Sequence, residues 1–343
     1  MSIRLRNPLK MLRSNKLALD FGSGRSRIAS PNGDILLDEP TVIALEQGAD
    51  GVLAVGAEAK SFLGKAPERI HVIRPVDHGA VLDFDAAKAL LRVYLRRIQP
   101  DDGSRLSVSM IAPQCATALE RRTLADCCRA AGVGHVDIVA APLAAAAGAG
   151  LDIRQPKGQL LLGVGHGLAE ASVICLADVV QSEANRYAAH SFTEAVAQHI
   201  VAGRHVVIGE NMAEHALTEL AWADRPQTPR AMTVTGKDAA SGTPASVELT
   251  DADLEHALDV PLGELETLVR RVMEKAPAEL VADIAETGLN LYGGGAQLTG
   301  LDRFLARRIG LRTRVVQAPA FAAVRGAAAT LRPDLDFRRL LVR

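Results

Sequence analysis

QLLLGVGHGLAEASVICLADVV, residues 159–180, carries the strongest structural signal in the chain. Leu160, Leu161 and Leu162 run into Gly163-Val164-Gly165-His166-Gly167, and a second apolar run, Ala171 to Leu176, follows. This pattern predicts a buried strand, a tight glycine turn and a returning strand. The same design stands near the start of the chain: Leu17-Ala18-Leu19-Asp20-Phe21-Gly22-Ser23-Gly24, then Ile28-Ala29. Laid over each other, Gly22 meets Gly165, Gly24 meets Gly167 and Asp20 meets Gly163. Two matched glycine hairpins predict an internal duplication with a cleft between the halves. Backbone N–H groups exposed in such turns bind anions, phosphate above all, although a plain β-turn uses the same glycines.

Outward from these hairpins, strand and helix patterns alternate. Asn32-Gly33 makes a turn, and Ile35 to Leu45 reads as a strand interrupted by Pro40. Asp83-Phe84 opens a helix whose apolar residues Phe84, Ala87, Leu91, Tyr94, Leu95 and Ile98 share one face. A strand over Leu106 to Ala112 follows, then a helix from Leu119 to Ala131 closed by Gly132. A short strand, Val136 to Val139, leads into an alanine-rich helix at 143–149. Such alternation predicts a largely parallel sheet. Beyond the second hairpin, Ser191 with Glu194 predicts a capping box, and 210–222 a further helix. Residues 224–246 read as a small β subdomain. Thr250 with Asp253 predicts another helix start, broken at Pro261, with a successor marked by Leu265, Leu268, Val272 and Met273. Leu289-Asn290-Leu291 then enters Tyr292-Gly293-Gly294-Gly295-Ala296, a third glycine turn. Three such turns, each after a strand, favour a nucleotide cleft.

Bulk properties narrow the function classes. At 343 residues the chain has room for two domains. Lys and Arg total 39 against 40 acids, so net charge decides nothing about nucleic acid or membrane, but aromatics of only 3% argue against a base-stacking surface for single strands, and no nucleic-acid partner is expected. Cys115, Cys127, Cys128 and Cys175 lack metal-site spacing and read as reduced core thiols of a cytoplasmic protein. No apolar run suits a signal peptide or a membrane span. Residues 1–15 form a basic leader in which Arg4, Arg6, Lys10 and Arg13 interleave with Ile3, Leu5, Leu9 and Leu12. It reads either as an amphipathic anchor on anionic lipid or as a solvated basic tail.

At this point the chain resembles the MreB family of bacterial actins, within the actin/Hsp70/sugar-kinase superfamily, from about residue 16 to 331. The family's first phosphate loop, D-L-G-T-A-N-T, is matched by Asp20-Phe21-Gly22-Ser23-Gly24-Arg25-Ser26. L-N-E-P-S-V-V-A-I is matched from Leu37 to Leu45, A-V-G-x-x-A-K-x-x-L-G-R-x-P from Ala54 to Pro67, and I-R-P-x-x-D/H-G-V-I-A-D-F from Ile73 to Phe84. E-R-R appears as Glu120-Arg121-Arg122, and the adenosine motif T-G-G-G-A as Tyr292 to Ala296. The resemblance implies an α/β, actin-like (ribonuclease-H-like) duplicated fold with a central cleft. Domain I would take 16–148 plus 322–343, with a small subdomain at about 33–72. Domain II would take 149–321, with a small subdomain at about 187–250.

The departures from the family pattern lie in the cleft. Where the family has E-E-P-M-A-A-A, this chain has Ala140-Ala141-Pro142-Leu143-Ala144-Ala145-Ala146, so Ala141 replaces the carboxylate that orients the hydrolytic water. D-I-G-G-G-T-T-E has become Gly163-Val164-Gly165-His166-Gly167-Leu168-Ala169-Glu170, without the acid that supports hydrated Mg²⁺ and without both threonines. R-I-G-G-D reads Arg186-Tyr187-Ala188-Ala189-His190, and A-E-R-I-K keeps Glu214 but ends in Leu217. The implied nucleotide-binding set is Asp20, Gly22, Ser23, Gly24, Arg25, Gly165, His166, Gly167, Glu214, Gly293, Gly294, Gly295 and Ala296. No catalytic residue and no directly ligating metal residue is expected, although Asp20 would reach Mg²⁺ through water. Arg25 faces either the phosphates, replacing lost Mg²⁺ charge, or solvent; His166 faces either a phosphate or solvent. ATP and Mg²⁺ are the implied cofactors.

The expected function is a cytoskeletal scaffold concerned with cell shape and wall elongation, with little or no ATP hydrolysis. It would be peripheral at the inner membrane, with itself, an MreB paralogue and wall-elongation proteins as partners. The alternatives are a non-polymerising regulator of a paralogue, or an ATPase or phosphotransferase whose base comes from Glu170, Asp20 or Asp83. An Hsp70-type chaperone is disfavoured, because only the short segment Arg332 to Arg343 follows Leu331.

Overall fold

The computed structural model describes residues 15–48, 51–99, 106–224 and 228–332. The anchor reading of Ile3, Arg4, Leu5, Arg6, Leu9, Lys10, Leu12 and Arg13 therefore lies outside the described residues. The chain opens with β1 (Lys16–Phe21), β2 (Arg25–Ala29), β3 (Ile35–Pro40), β4 (Ile43–Glu46), β5 (Val52–Val55), α1 (Ala57–Ser61) and β6 (Ile70–Ile73). Next come β7 (Val76–Asp77), β8 (Ala80–Val81), α2 (Phe84–Ile98), β9 (Ser107–Ala112), α3 (Ala118–Ala130), β10 (His135–Ala140) and α4 (Ala141–Gly148). The second half begins with β11 (Gln159–Val164), β12 (Ala169–Cys175), β13 (Asp178–Asn185), α5 (Ala189–Arg204), β14 (Val206–Val207) and α6 (Glu210–Glu219). After these stand β15 (Ala231–Asp238), β16 (Pro244–Thr250), α7 (Asp259–Lys275) and α8 (Ala278–Thr287). The last elements are β17 (Leu289–Tyr292), α9 (Leu301–Ile309), β18 (Thr313–Val315) and α10 (Ala322–Ala329).

Two five-stranded sheets share one topology. The first runs β3-β2-β1-β9-β10 and the second β13-β12-β11-β17-β18. In each, an antiparallel three-strand meander continues into two parallel strands. The central strands are buried along their length, which is why they read as continuous apolar runs rather than alternating ones. Two three-stranded sheets, β5-β4-β6 and β14-β15-β16, stand as smaller lobes. Helices α4 and α10 pack in the core between the two large sheets, with Ala18 and Ile111 on one side and Leu161 and Ile174 on the other. Their backbones touch: a Cβ on Gly326 would lie 1.7 Å from the Ala144 carbonyl oxygen, so a side chain there has no room.

Several local expectations are corrected. Ser191 does not cap α5; its hydroxyl donates to the Ala188 carbonyl instead. The first helical N–H groups are already satisfied, because those of Ala189 and His190 donate to the carbonyls of Gly165 and His166. The second hairpin thus does the work of a cap. Thr250 and Asp253 do form a reciprocal capping box, but it opens only a single 3₁₀ turn, Asp251–Leu254. His256, at φ +68°, then redirects the chain. Pro261 breaks nothing: it sits in the first turn of α7, where a missing N–H has no intrahelical acceptor to lose. Helix α8 is an element that the sequence reading lacked. Of the four cysteines only Cys127 and Cys128 are buried, so the core-thiol reading holds for that pair and not for Cys115 or Cys175.

Candidate functional site

The turns β1–β2 and β11–β12 close in the same way. The Gly22 N–H donates to the Arg25 carbonyl at 3.2 Å, and the Gly165 N–H donates to the Leu168 carbonyl at 2.9 Å. Between them lies a cavity of about 530 Å³, lined by both turns, by Gly293, Gly294 and Gly295, and by Ala141. That volume suits a nucleotide-sized ligand. At the third turn, Cβ atoms on Gly293 and Gly295 would come within 2.4 and 2.5 Å of Val164, so the turn lies against the end of β11. Gly294 has open space beside it, and Leu217, Thr218, Ala221 and Leu298 complete this end of the cavity. Ala296 is fully buried beneath the turn.

The phosphate end is built differently from the expected pattern. The two hairpins interlock: a Cβ on Gly24 would lie 2.6 Å from the His166 Cβ, and one on Gly167 would lie 3.0 Å from the Ser23 Oγ. His78 Nδ1 lies 2.5 Å from the Gly167 carbonyl oxygen and ties the second turn to the first half of the chain. Asp20 faces Arg27, with Nη1 3.6 Å from Oδ2; burial raises its carboxyl pKa and Arg27 pulls it back down. Arg25 does not stand free toward the phosphates. Its Nε donates to Asp38 Oδ1 at 2.6 Å and its Nη2 to the Asp38 carbonyl at 2.8 Å. Arg27, which sequence reading passed over, is the cation beside Asp20.

His166 lines the cavity and is not an exposed turn residue. Its ring stacks on His190 with centroids 5.2 Å apart and planes inclined by 26°. Burial, then the nearby positive charge of Arg74 and His190, push its pKa down to about 4. It is neutral at physiological pH and carries no charge toward an anion. Glu214 is paired with Lys60, and its neighbour Glu210 with Arg74. These two ion pairs bridge the first small lobe and α6 across the cleft.

Mg²⁺ chemistry fits this end poorly. From Gly163 to Ala169 no side chain carries oxygen. A Cβ on Gly163 would lie 2.4 Å from the Tyr292 ring, so the buried tyrosine fills the space that an acid would need. Burial raises the Tyr292 phenol well above its ordinary pKa, with the Glu170 and Asp20 charges adding to the effect. Glu170 is itself buried and accepts the Cys115 N–H at 2.9 Å. Burial raises its pKa, against the lowering effect of the Cys115 and Gln114 N–H groups. Asp83 is the N-cap of α2, accepting the Ala86 N–H, and is not among the residues lining the cavity. Ala141 offers only a methyl group at the start of α4. Asp20 remains the sole oxygen donor of the expected metal set, and it already faces a guanidinium.

A family model described as MreB/Mbl protein matches residues 14–336. This chain belongs to the MreB/Mbl family. It is 33% identical over 324 residues to the cell shape-determining protein MreB of Escherichia coli K12, covering 93% of each chain. It is 30% identical over 304 residues to the cell shape-determining protein Mbl of Bacillus subtilis 168, covering 88% of this chain and 91% of Mbl. Among solved structures, MreB5 of Spiroplasma citri bound to AMPPNP superposes with a TM-score of 0.87 at 25% identity, covering 91% of this chain and 94% of MreB5. The MamK double helical filament gives 0.77 at 17% identity, covering 92% and 98%, a likeness of fold. The duplicated actin-like architecture is thus common to the MreB/Mbl family and this chain.

Proposed function

We propose that this chain is an actin-like cell-shape scaffold that assembles with itself or with a paralogue into filaments and holds a nucleotide while hydrolysing it little. The observation that carries this reading is a nucleotide-sized cavity inside a complete actin-like frame, at whose phosphate end every nearby carboxylate is paired or capped. The naming of the related MreB and Mbl proteins as cell shape-determining supports the scaffold role. The related MreB5, solved with AMPPNP and with ADP, supports nucleotide binding at the shared cleft. No helix among the described residues is long and apolar enough to cross a membrane. Attachment to the inner face of the membrane, and contact there with wall-elongation proteins, would instead rest on the basic leader. Deleting residues 1–13 is expected to abolish co-sedimentation with anionic vesicles; unchanged co-sedimentation would remove the leader from the proposal.

The central test measures ATP binding by calorimetry and phosphate release by the same protein, each with and without Mg²⁺. Binding that is indifferent to Mg²⁺, with release at background, is the expected result. Ala141→Glu, which returns a carboxylate to the start of α4, should raise release by about 10²-fold if a general base is what the site lacks. Steady Mg²⁺-dependent release from the unaltered protein would overturn the non-hydrolytic reading.

A further inference from the structure

We propose that His166, His190 and Glu210 form a binding site for a transition-metal ion of the zinc class at the phosphate end of the cleft. One donor atom from each of these residues lies within 4.8 Å of the donors of the other two. The residues come from three different elements: the β11–β12 turn, the start of α5 and the start of α6. Such a convergence of two imidazoles and a carboxylate is a ligand set that zinc uses, with a fourth position left for water or for an oxygen of a cleft ligand.

Four further observations point to a ligand at this place. First, the Nδ1 atoms of both His166 and His190 are buried and have no hydrogen-bond partner. Buried polar atoms are normally satisfied, and a coordinated ion would satisfy both at once. Second, the two rings are positioned by the backbone, because the His190 N–H donates to the His166 carbonyl at 2.7 Å. Third, Glu194 Oε1 lies 3.4 Å from His190 Nε2. A carboxylate there favours the tautomer with its proton on Nε2 and leaves the Nδ1 lone pair for a metal. Fourth, Glu210 Oε1 is taken by Arg74, while no hydrogen bond is found to Oε2 among the described residues.

The donor chemistry selects the ion. Two imidazoles and one carboxylate suit Zn²⁺, Co²⁺ or Ni²⁺, whereas Mg²⁺ needs the oxygen donors that the second hairpin lacks. Nitrogen ligands around tetrahedral zinc lie about 3.3 Å from one another, so donor atoms up to 4.8 Å apart must draw together by up to about 1.5 Å on binding. The Arg74 guanidinium adds positive charge beside the site, so the Glu210 carboxylate is shared, with Oε1 toward Arg74 and Oε2 toward the ion. His166 lines the cavity and gives the ion a route in. A bound ion would link the second hairpin to the small lobe that carries α6.

The experiment uses the full-length, untagged protein without nucleotide, so that it stands or falls separately from the nucleotide reading. Zn²⁺ is titrated in competition with a chromophoric chelator, and Co²⁺ is followed by its visible ligand-field absorption. The expected result is about one ion per chain, with affinity falling at least 100-fold in His190→Ala and in Glu210→Gln. The Co²⁺ spectrum should have the intensity of a four-coordinate site and vanish in the double variant His166→Asn, His190→Asn. Melting temperatures in chelator check folding; if His190→Ala fails to fold, His190→Asn and Glu210→Gln carry the test. Zinc that the asparagine double variant retains undiminished, or no stoichiometric zinc in the unaltered protein, would overturn the site.

Discussion

The two glycine hairpins are one backbone dressed in two ways. Phe21 to Arg25 and Val164 to Ala169 close with the same glycine N–H bond to the carbonyl three residues on, and each follows the central strand of a five-stranded sheet. The first keeps polar chemistry: Asp20, buried Ser23 and the guanidinium of Arg27. The second has exchanged it for an imidazole and apolar groups, and a tyrosine from β17 fills the place of the acid. Duplication preserves what the fold needs, which is a turn that only small residues can make beside a facing backbone. It does not preserve the side chains that line the two turns, so one backbone carries two different chemistries.

The largest expected effect comes from trying to make the hairpins alike again. Gly163→Asp puts a side chain where the Tyr292 ring now stands, with its Cβ 2.4 Å from the ring carbon Cζ. It also introduces a charge into a buried strand without a partner. Overpacking together with an unpaired buried acid should cost about 3–4 kcal/mol. Adding Tyr292→Thr should recover more than half of that loss, although each change alone destabilises. Chemical denaturation of the two single variants and the double variant measures this coupling. Strict additivity would show that Tyr292 and position 163 do not share the space.

Much of the frame was legible in the sequence because its signals are local. Leu160 to Gly167 and Leu17 to Gly24 each announce a strand and its turn within eight residues. The face of α2 is written in Phe84, Ala87, Leu91 and Tyr94, and Asp83 caps that helix as its position implies. The glycine turns were likewise found at once. What stayed hidden was every relation set by partners far along the chain. Arg25 looked available until the return of β3 supplied Asp38. Glu214 stood in the implied nucleotide-binding set with no sign that Lys60 would meet it from the other lobe. Ser191 looked like a cap, but carbonyls of the second hairpin had already taken the helix N–H groups. His190 and Glu210 carried no sequence signal of their own, since their spacing matches no ligand motif. The one available clue was that His190 and His166 both replace the family's expected residues around the same phosphate loop.

A second, smaller contrast separates the outer glycines of the two turns. Gly24→Ala would drive its methyl group into the Cβ and ring root of His166, at 2.6 and 2.7 Å, where a histidine has little freedom to move. The expected cost is about 1–3 kcal/mol, and it should largely disappear in a His166→Gly background. Gly167→Ala meets the carboxylate tip of Asp77 at 2.9 Å and the hydroxyl of Ser23 at 3.0 Å. Both are side-chain ends, although the His78 backbone N also stands at 3.2 Å, so this variant should cost about 1 kcal/mol, less than Gly24→Ala. Equal costs would mean that the interlock is as rigid from one side as from the other.

The smallest effect is a change of slope with pH, and it concerns the acid that each hairpin keeps nearby. Burial raises the pKa of both Asp20 and Glu170, but Asp20 has Arg27 to lower it, while Glu170 relies on N–H donors. A carboxyl whose folded pKa lies above its unfolded value binds protons more readily in the folded protein. Folding stability therefore rises as pH falls through the raised folded pKa, and the gain is complete at the unfolded value. Glu170→Gln removes that titration. Relative to the variant, the unaltered protein should gain stability as the pH is lowered from neutrality toward about 4.5, the ordinary value for a glutamate. Parallel denaturation midpoints at several pH values measure the difference. A difference that shrinks over this range would reverse the sign and mean that the Cys115 and Gln114 N–H groups, not burial, govern Glu170. The second hairpin would then hold an ionised carboxylate at its base, and the contrast with Asp20 would rest on the partner's charge alone.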